Sequence, residues 1–291
     1  LQETLFIFQF LVASFRRKWA RRNFQQYSHE IKSCELPRIG SVQFANWLNP
    51  LVVPRTDLRE EVAFFEKVLP KGSMFIDIGA NVGHVSLAAA LVTGKTGLTL
   101  SFDPNPHVYR ILQINAGLNK DLTNIHPLNY AIATDNADFF YRSSEASFAN
   151  GGISQKDLGV HGKYALPEKV RGIVLSQFLS DRYPEWLPKL ALIKIDTEGY
   201  DRDVIRSIRD VLKKQPTLVI SECFCTSNEE QRAEHFQLLA DLDYTLYHFE
   251  GFCAHVVLDR IAKPSDMNRW KHFDFLAVPA GMTPPFDVAR S

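Results

Sequence analysis

No run in this sequence stays apolar for the ~20 residues that a bilayer-spanning helix needs. The N-terminal candidate, LFIFQFLVASF (Leu5 to Phe15), is only eleven residues long and contains Gln9. Its positive charges, RRKWARR, follow it, whereas a secretory leader carries them in front. Excess charge is missing too: Lys plus Arg and Asp plus Glu both number 33, for a formal net charge of zero. That excludes a global basic field, so no nucleic-acid partner is expected, and there is no acidic tail. Cysteine is sparse, and Cys34, Cys223, Cys225 and Cys253 lack metal-finger spacing. Reduced thiols in a cytoplasmic protein are expected rather than a disulfide framework. Internal repeats and low-complexity tracts are absent, and so is the Gly-x-Gly-x-x-Gly turn of a dinucleotide fold.

What is present is an ordinary globular composition, 45% hydrophobic and 23% charged. Residues 1–60 read as an extension. It holds one helix, then a stretch punctuated by Pro37, Pro50 and Pro54 that resists regular structure. The helix is expected to pack on the domain or on a partner, with a homodimer surface among the options. The Arg16 to Arg22 cluster, with Trp19 inside it, keeps open a second reading, peripheral membrane contact.

From Asp57 on, helix and strand signals alternate. DLREEVAFFEKVLP starts at Asp57, places Val62, Phe65 and Val68 on one stripe and ends at Pro70. Strands are expected at MFIDIG (74–79), LTLSFD (98–103), within IHPLNYAIA (125–133), and at ALIKID (191–196), TLVISEC (217–223), YTLYHF (244–249) and FDFLAVP (273–279). Helices fill most of the gaps between them. Such alternation predicts an α/β fold with a doubly wound, mostly parallel sheet, and the last strands predict an antiparallel pair at one edge. Ligands then bind beyond the carboxyl ends of the strands, where strand order reverses. Asp77, Asp103, Asn129, Asp196 and Glu222 sit at those ends.

The stretch FIDIGANVGH (75–84) carries Gly79, Asn81 and Gly83, with Asp77 just ahead of the turn. A carboxylate there repels a pyrophosphate but suits a cationic or amine-bearing ligand. Asn81 tolerates a left-handed backbone, so the turn stays tight. Asp103 follows Gly83 by 20 residues, where nucleoside-binding folds place the acid that accepts ribose hydroxyls. A ribose, no pyrophosphate and a positive end together describe S-adenosylmethionine. The bland alternative gives Gly79 and Gly83 a role in strand–helix packing alone.

KIDTEGYD places Lys194, Asp196, Glu198 and Asp201 within eight residues. In a strand Lys194 and Asp196 face the same side, and a lysine among apolar neighbours calls for a carboxylate partner. Asp196, Glu198 and Glu222 are expected to converge from neighbouring strands. Two readings of that convergence stay open. Glu198 or Asp196 acts as general base while Glu222 orients the acceptor. Or Asp196 and Glu222 hold a divalent cation such as magnesium, which lowers the acceptor's pKa. A Lys194–Glu222 ion pair that pins two strands is the structural option beside them. His84 is read as a surface residue at a helix start, with a site-facing base as the other option. The stretch SSEASFANGGISQK (143–156) is read as a loop, either a lid hinged at Gly151 and Gly152 or a plain insertion.

FIDIGANVGHVS, SFDPNP, LIKIDTEGYDRDVI and LVISEC together resemble the FkbM-type methyltransferases, over about residues 70–280. The resemblance implies a class I fold at 61–291 and S-adenosylmethionine-dependent O-methylation of a sugar, glycan or polyketide-like hydroxyl. It also implies that Asp77, Gly79, Asn81 and Gly83 line the methionine part of the cofactor. Asp103 would hold the ribose, and Asn129 and Ala131 would lie near the adenine. FDPNP stands where Glu-Pro is commoner, and Val174-Leu175-Ser176 stands where Thr-Leu-Asp is frequent. The alternative function is a non-catalytic nucleoside-binding scaffold or regulator.

Overall fold

The computed structural model describes residues 2–156 and 161–289, with side chains in the first helix described from Phe10 on. Helix α1 spans Gln2–Ala20. Among the described residues no helix is long and apolar enough to cross a membrane.

An antiparallel hairpin follows, β1 (His29–Leu36) paired with β2 (Gly40–Trp47). This corrects the expectation of an irregular stretch. The prolines sit outside the strand interiors, at the Leu36–Gly40 turn and after Trp47, so they never compete with the ladder. The hairpin belongs to the main core. Val42, Phe44 and Trp47 are buried with Leu58 and with residues of the central sheet's helices. Asn115 completes the join: its side chain accepts from Ala45 N (2.6 Å) and donates to Ala45 O (3.1 Å), as a neighbouring strand would.

Helix α2 (Arg59–Val68) buries Val62, Phe64, Phe65 and Val68, close to the expected stripe. Phe64 is fully buried, with Phe286 and Phe249 stacked at 4.9 Å and 5.5 Å. Burying one such ring contributes ~1.5–3 kcal/mol. Next come β3 (Met74–Ile78), α3 (His84–Thr93), β4 (Leu98–Phe102), α4 (Pro106–Leu118) and β5 (Ile125–Leu128). Asn105 caps α4, accepting from His107 N, and Pro106 occupies the first turn where no N–H is missed.

A small sheet then forms from β6 (Ala131–Ile132), β7 (Asp138–Ser143), β8 (Gly152–Ser154), β9 (Tyr164–Ala165) and β10 (Val170–Ile173). Its order is β6-β10-β7-β8, with β9 also on β7. Strand β7, DFFYRS, pairs antiparallel with β8, β9 and β10. The segment 143–156 is no plain surface insertion. Ala146, Ser147, Phe148 and Ala149 are buried, and Asn105 Nδ2 donates to Phe148 O at 2.8 Å.

The chain returns through α5 (Leu175–Arg182), β11 (Leu190–Ile195), α6 (Asp201–Lys214), β12 (Leu218–Cys223) and α7 (Glu229–Ala240). It closes with β13 (Tyr244–Phe249), β14 (Val257–Ile261), β15 (Phe273–Pro279) and β16 (Asp287–Val288). The nine-stranded sheet runs β16-β14-β13-β15-β12-β11-β3-β4-β5. Strands β5, β4, β3, β11 and β12 run parallel to one another, while β15 runs antiparallel to both β12 and β13. The expected fold class is therefore the observed one. Strand β3 is buried at every position and β11 at all but Ala191, as strands covered by helices on both faces must be. Strand order reverses between β3 and β11, which places the crevice at their carboxyl ends.

Candidate active site

The crevice at the switch point is a cavity of about 620 Å³. Gly79, Asn81, Asp103, Ala131, Lys194, Asp196, Glu198 and Glu222 all line it. Eight of the residues expected at the site from sequence alone thus share one space, although they come from five strands and the turns that follow them. Three others do not line it. Asp77 is fully buried inside β3, where Oδ2 accepts from Ser86 Oγ at 2.6 Å and Oδ1 lies 3.5 Å from Lys194 Nζ. Gly83 is buried at the head of α3, and Asn129 faces a neighbouring cleft, its Nδ2 donating to Asp103 O at 2.8 Å. Each of the three is engaged by the protein itself. Asp77 turns to Ser86 and Lys194 inside the sheet, Gly83 packs on Leu112, and Asn129 holds the Asp103 carbonyl.

The glycines have a packing reason. Gly79 has φ +77°, and a Cβ on it would overlap the carbonyl oxygen of Asp196. Gly83 has φ +89°, and its Cβ would press on Leu112 Cδ1 at 2.6 Å. So protein, rather than ligand, enforces both glycines, while Gly79 still lines the cavity. Asn81 adopts φ +50°, the left-handed conformation its amide tolerates.

Asp103 organises the turn. Its Oδ2 accepts from Asn81 N (2.9 Å) and its Oδ1 from Asn105 N (2.9 Å). Burial nonetheless pushes the carboxyl up to about 7. Each oxygen keeps a second lone pair, so ribose hydroxyls could still be received there.

On the other wall Lys194 Nζ lies 3.0 Å from Asp196 Oδ2 and 3.5 Å from Asp77 Oδ1. Burial opposes its charge, but the two carboxylates outweigh burial and its pKa is raised. The expected carboxylate partner is therefore present, and it is not Glu222. Glu222 Oε1 lies instead 2.6 Å from His272 Nε2, while Oε2 is buried with no partner. Burial, and then the charges of Asp196, Asp201, Glu198 and Asp274, lift Glu222 to about 10.

Glu198 follows β11 in a left-handed conformation, φ +56°, which costs a non-glycine residue on the order of 1 kcal/mol. Burial and the charges of Asp196 and Glu145 raise its carboxyl to about 7. Asp201 sits behind this loop, buried, accepting from Thr197 Oγ1 (2.8 Å) and Gly199 N (3.3 Å). It holds the loop and does not line the cavity.

His84 lines the cavity rather than the surface. Burial, with Arg55 and Lys194 nearby, pushes its imidazole down to about 3, so it is neutral across the physiological range. Trp47, Arg55 and Glu61 enter from the hairpin side, and Phe252 from the loop after β13. Sequence reading missed these four and His272. Only the hairpin's fold and the β12–β15 register, Glu222 opposite Asp274, bring them in, and neither leaves a local motif. Among the described residues no three His, Cys, Asp or Glu side chains are grouped to hold a metal ion.

The sequence profile of the methyltransferase FkbM domain matches residues 77–246, more than half of the chain. The methyltransferase sdnD of Sordaria araneosa is 24% identical over 161 residues, which cover 48% of this chain and 62% of that protein. The chain thus spans less than two thirds of the length of this curated relative. Among solved structures, an O-methyltransferase from Bacillus cereus in complex with SAH is similar at 11% identity and a TM-score of 0.41, covering 75% of this chain and 80% of that one. The methyltransferase FkbM from Methylobacillus flagellatus KT is similar at 13% identity and a TM-score of 0.39, covering 70% and 43%. With Gly79, Asn81, Asp103, Asp196, Glu198 and Glu222 gathered at one switch point and that profile laid over them, the chain belongs to the FkbM methyltransferase family.

Proposed function

We propose that this protein is an S-adenosylmethionine-dependent O-methyltransferase acting on a hydroxyl of a sugar, glycan or polyketide-like small molecule. The observation that carries this reading is the single cavity shared by the Gly79–Asn81 turn, Asp103, and the carboxylates of Asp196, Glu198 and Glu222. The turn and Asp103 would hold the cofactor, with Ala131 beside the adenine. Acidic walls and Lys194 suit a ligand that carries both positive and negative groups. When bound, S-adenosylmethionine supplies an electrophilic methyl group on a sulfonium, a good leaving group.

The chain's own part is to aim an oxygen and take its proton. Glu198, poised near neutral pH, takes the proton from the acceptor hydroxyl. Glu222 holds a proton at neutral pH and donates it to His272 Nε2, which turns the unpartnered Oε2 into an acceptor for the same hydroxyl. Fixing the attacking oxygen in this way can lower the barrier by ~7–11 kcal/mol. Trp47, Arg55, Glu61 and Phe252 form the wall where the rest of the acceptor would lie. The four free cysteines fit a reducing, cytoplasmic setting.

The test is calorimetric titration with S-adenosylhomocysteine and with NADH, followed by transfer of a labelled methyl group to a panel of hydroxylated acceptors. Micromolar binding of the first ligand alone, with label on oxygen, is the expected result. Binding without transfer to any acceptor would favour the non-catalytic nucleoside-binding scaffold. No binding of S-adenosylhomocysteine would sink both.

A further inference from the structure

Helix α1 ends in a face that the fold leaves uncovered. Leu11, Phe15 and Trp19 recur every fourth residue, so they lie on one stripe, and they are 58%, 68% and 40% exposed. Phe10 and Phe24, also exposed, extend the apolar surface at either end. The opposite side of the helix is anchored, with Ala20 fully buried. Around the stripe stand five exposed cations, Arg16, Arg17, Lys18, Arg21 and Arg22. Glu145 approaches Arg21 only at 3.9 Å. The basic surface continues along a cleft of about 850 Å³, which Arg22 and Phe24 border together with Lys163, Lys169 and Arg171.

The whole chain has no net charge, so this is a local segregation of charge rather than a general property. A soluble surface gains nothing from stacking exposed aromatic rings beside like charges that repel one another. An anionic interface satisfies both at once: the rings enter the headgroup–acyl boundary and the cations meet lipid phosphates. A tryptophan among arginines suits that boundary, because its ring has an apolar body and an N–H that stays wet.

From this we infer that α1 and its basic cleft dock the protein on an anionic lipid surface, lying in the interface without crossing it. The docked end is tied to the catalytic body. Arg21 O accepts from Ala146 N at 3.1 Å, and the segment buried from Ala146 to Ala149 runs on to Asn150, which with Ala149 lines the cavity wall. Docking would therefore hold the cavity at a fixed place relative to the bilayer. The inference does not depend on methyl transfer.

The test is co-sedimentation of the full chain with vesicles of phosphatidylcholine alone and of phosphatidylcholine mixed with phosphatidylglycerol, at low and high salt. Binding is expected to the anionic vesicles only and to weaken with salt. Each cation near the surface is worth on the order of fivefold, so Arg16→Gln with Arg17→Gln and Lys18→Gln should lose on the order of a hundredfold. Phe15→Ser with Trp19→Ser should abolish binding at high salt, where the apolar part remains. An unchanged circular dichroism spectrum and an unchanged thermal unfolding midpoint show that the variants fold. Equal binding to neutral vesicles, or none to either kind, overturns the inference. So does a concentration-dependent dimer that buries Trp19 without vesicle binding, which would make the face a self-interface. Tight RNA binding with no vesicle binding would assign the cations to nucleic acid instead.

Discussion

Gly79 and Asp196 touch across the point where strand order reverses: a Cβ on Gly79 would occupy the space of the Asp196 carbonyl oxygen. Asp196 N also donates to Ile78 O at 3.0 Å, so β3 and β11 are locked together one residue before the site begins. Gly79→Ala meets backbone, which cannot swing away as a side chain can, and it does so at φ +77°. It should cost more than ~3 kcal/mol by strain and overpacking together. Gly117→Ala, inside α4 with no atom nearer than 3.9 Å, should gain up to ~0.5–1 kcal/mol. Urea denaturation of the two variants tests the contrast. Equal stabilities would mean that β3 and β11 can part at no cost.

Asn115 joins three pieces of the fold. Besides its two bonds to Ala45 it donates to Val82 O at 2.7 Å, so the hairpin, α4 and the glycine turn share one buried amide. Asn115→Ala would strand Ala45 N and two carbonyls away from water, at ~1–3 kcal/mol for each group left unpaired. The loss should appear both as a lower unfolding midpoint and as weaker S-adenosylhomocysteine binding, because the turn loosens. Asn115→Asp should recover part of the bond to Ala45 N and little else. Calorimetry beside thermal melts separates the two effects.

The sequence revealed the parallel core because its strands are apolar runs ending in polar residues, such as LALIKID and FIDIGAN. The carboxylates at those ends were legible for the same reason, since Asp103, Asp196 and Glu222 stand at the boundary between apolar run and turn. The hairpin was not. β1 is mostly exposed, with a buried residue only at Leu36, so it shows no strong alternation, and nearby prolines mask it. Asp77 misled because an aspartate next to a glycine turn looks the same whether it faces a ligand or, as here, Lys194 and Ser86 inside the sheet. His272 was invisible in a further sense. Its partner Glu222 is fifty residues away, and only the pairing of β12 with β15 brings them to 2.6 Å.

The buried acids set how stability responds to pH. Asp103 and Asp201 are raised to about 7 and Asp274 to about 6, each first by burial, against 3.8 for an ordinary aspartate. A carboxyl raised in the folded state favours folding when both states are protonated, and that contribution fades as pH climbs through the folded pKa. The ligand-free protein should therefore lose stability between about pH 4 and pH 7, by one to several kcal/mol in total. Urea denaturation at pH 5.5 and at pH 8 tests this without cofactor present. A protein more stable at pH 8 would mean that hydrogen bonds such as Asn81 N to Asp103 outweigh burial.

Glu198 and Glu222 line the same cavity, but their protonation separates their roles. With a carboxyl at about 7, Glu198 is half ionised at neutral pH and can accept a proton; Glu222, at about 10, already holds one. At saturating substrates kcat should rise about tenfold per pH unit below the Glu198 pKa and level off above it. Glu198→Gln should lower kcat by ~10²–10⁴-fold, remove that limb, and leave S-adenosylhomocysteine binding unchanged. Glutamine is close to a protonated glutamate: it keeps a carbonyl for the acceptor hydroxyl and an N–H for His272. Glu222→Gln should therefore stay within about tenfold of the parent in kcat, while Glu222→Ala loses the aim and raises KM for the acceptor as well. His272→Phe should resemble Glu222→Ala in milder form, since Oε1 then lacks its partner. If Glu222→Gln were as damaging as Glu198→Gln, the proton would be leaving through Glu222, and the two glutamates would exchange roles.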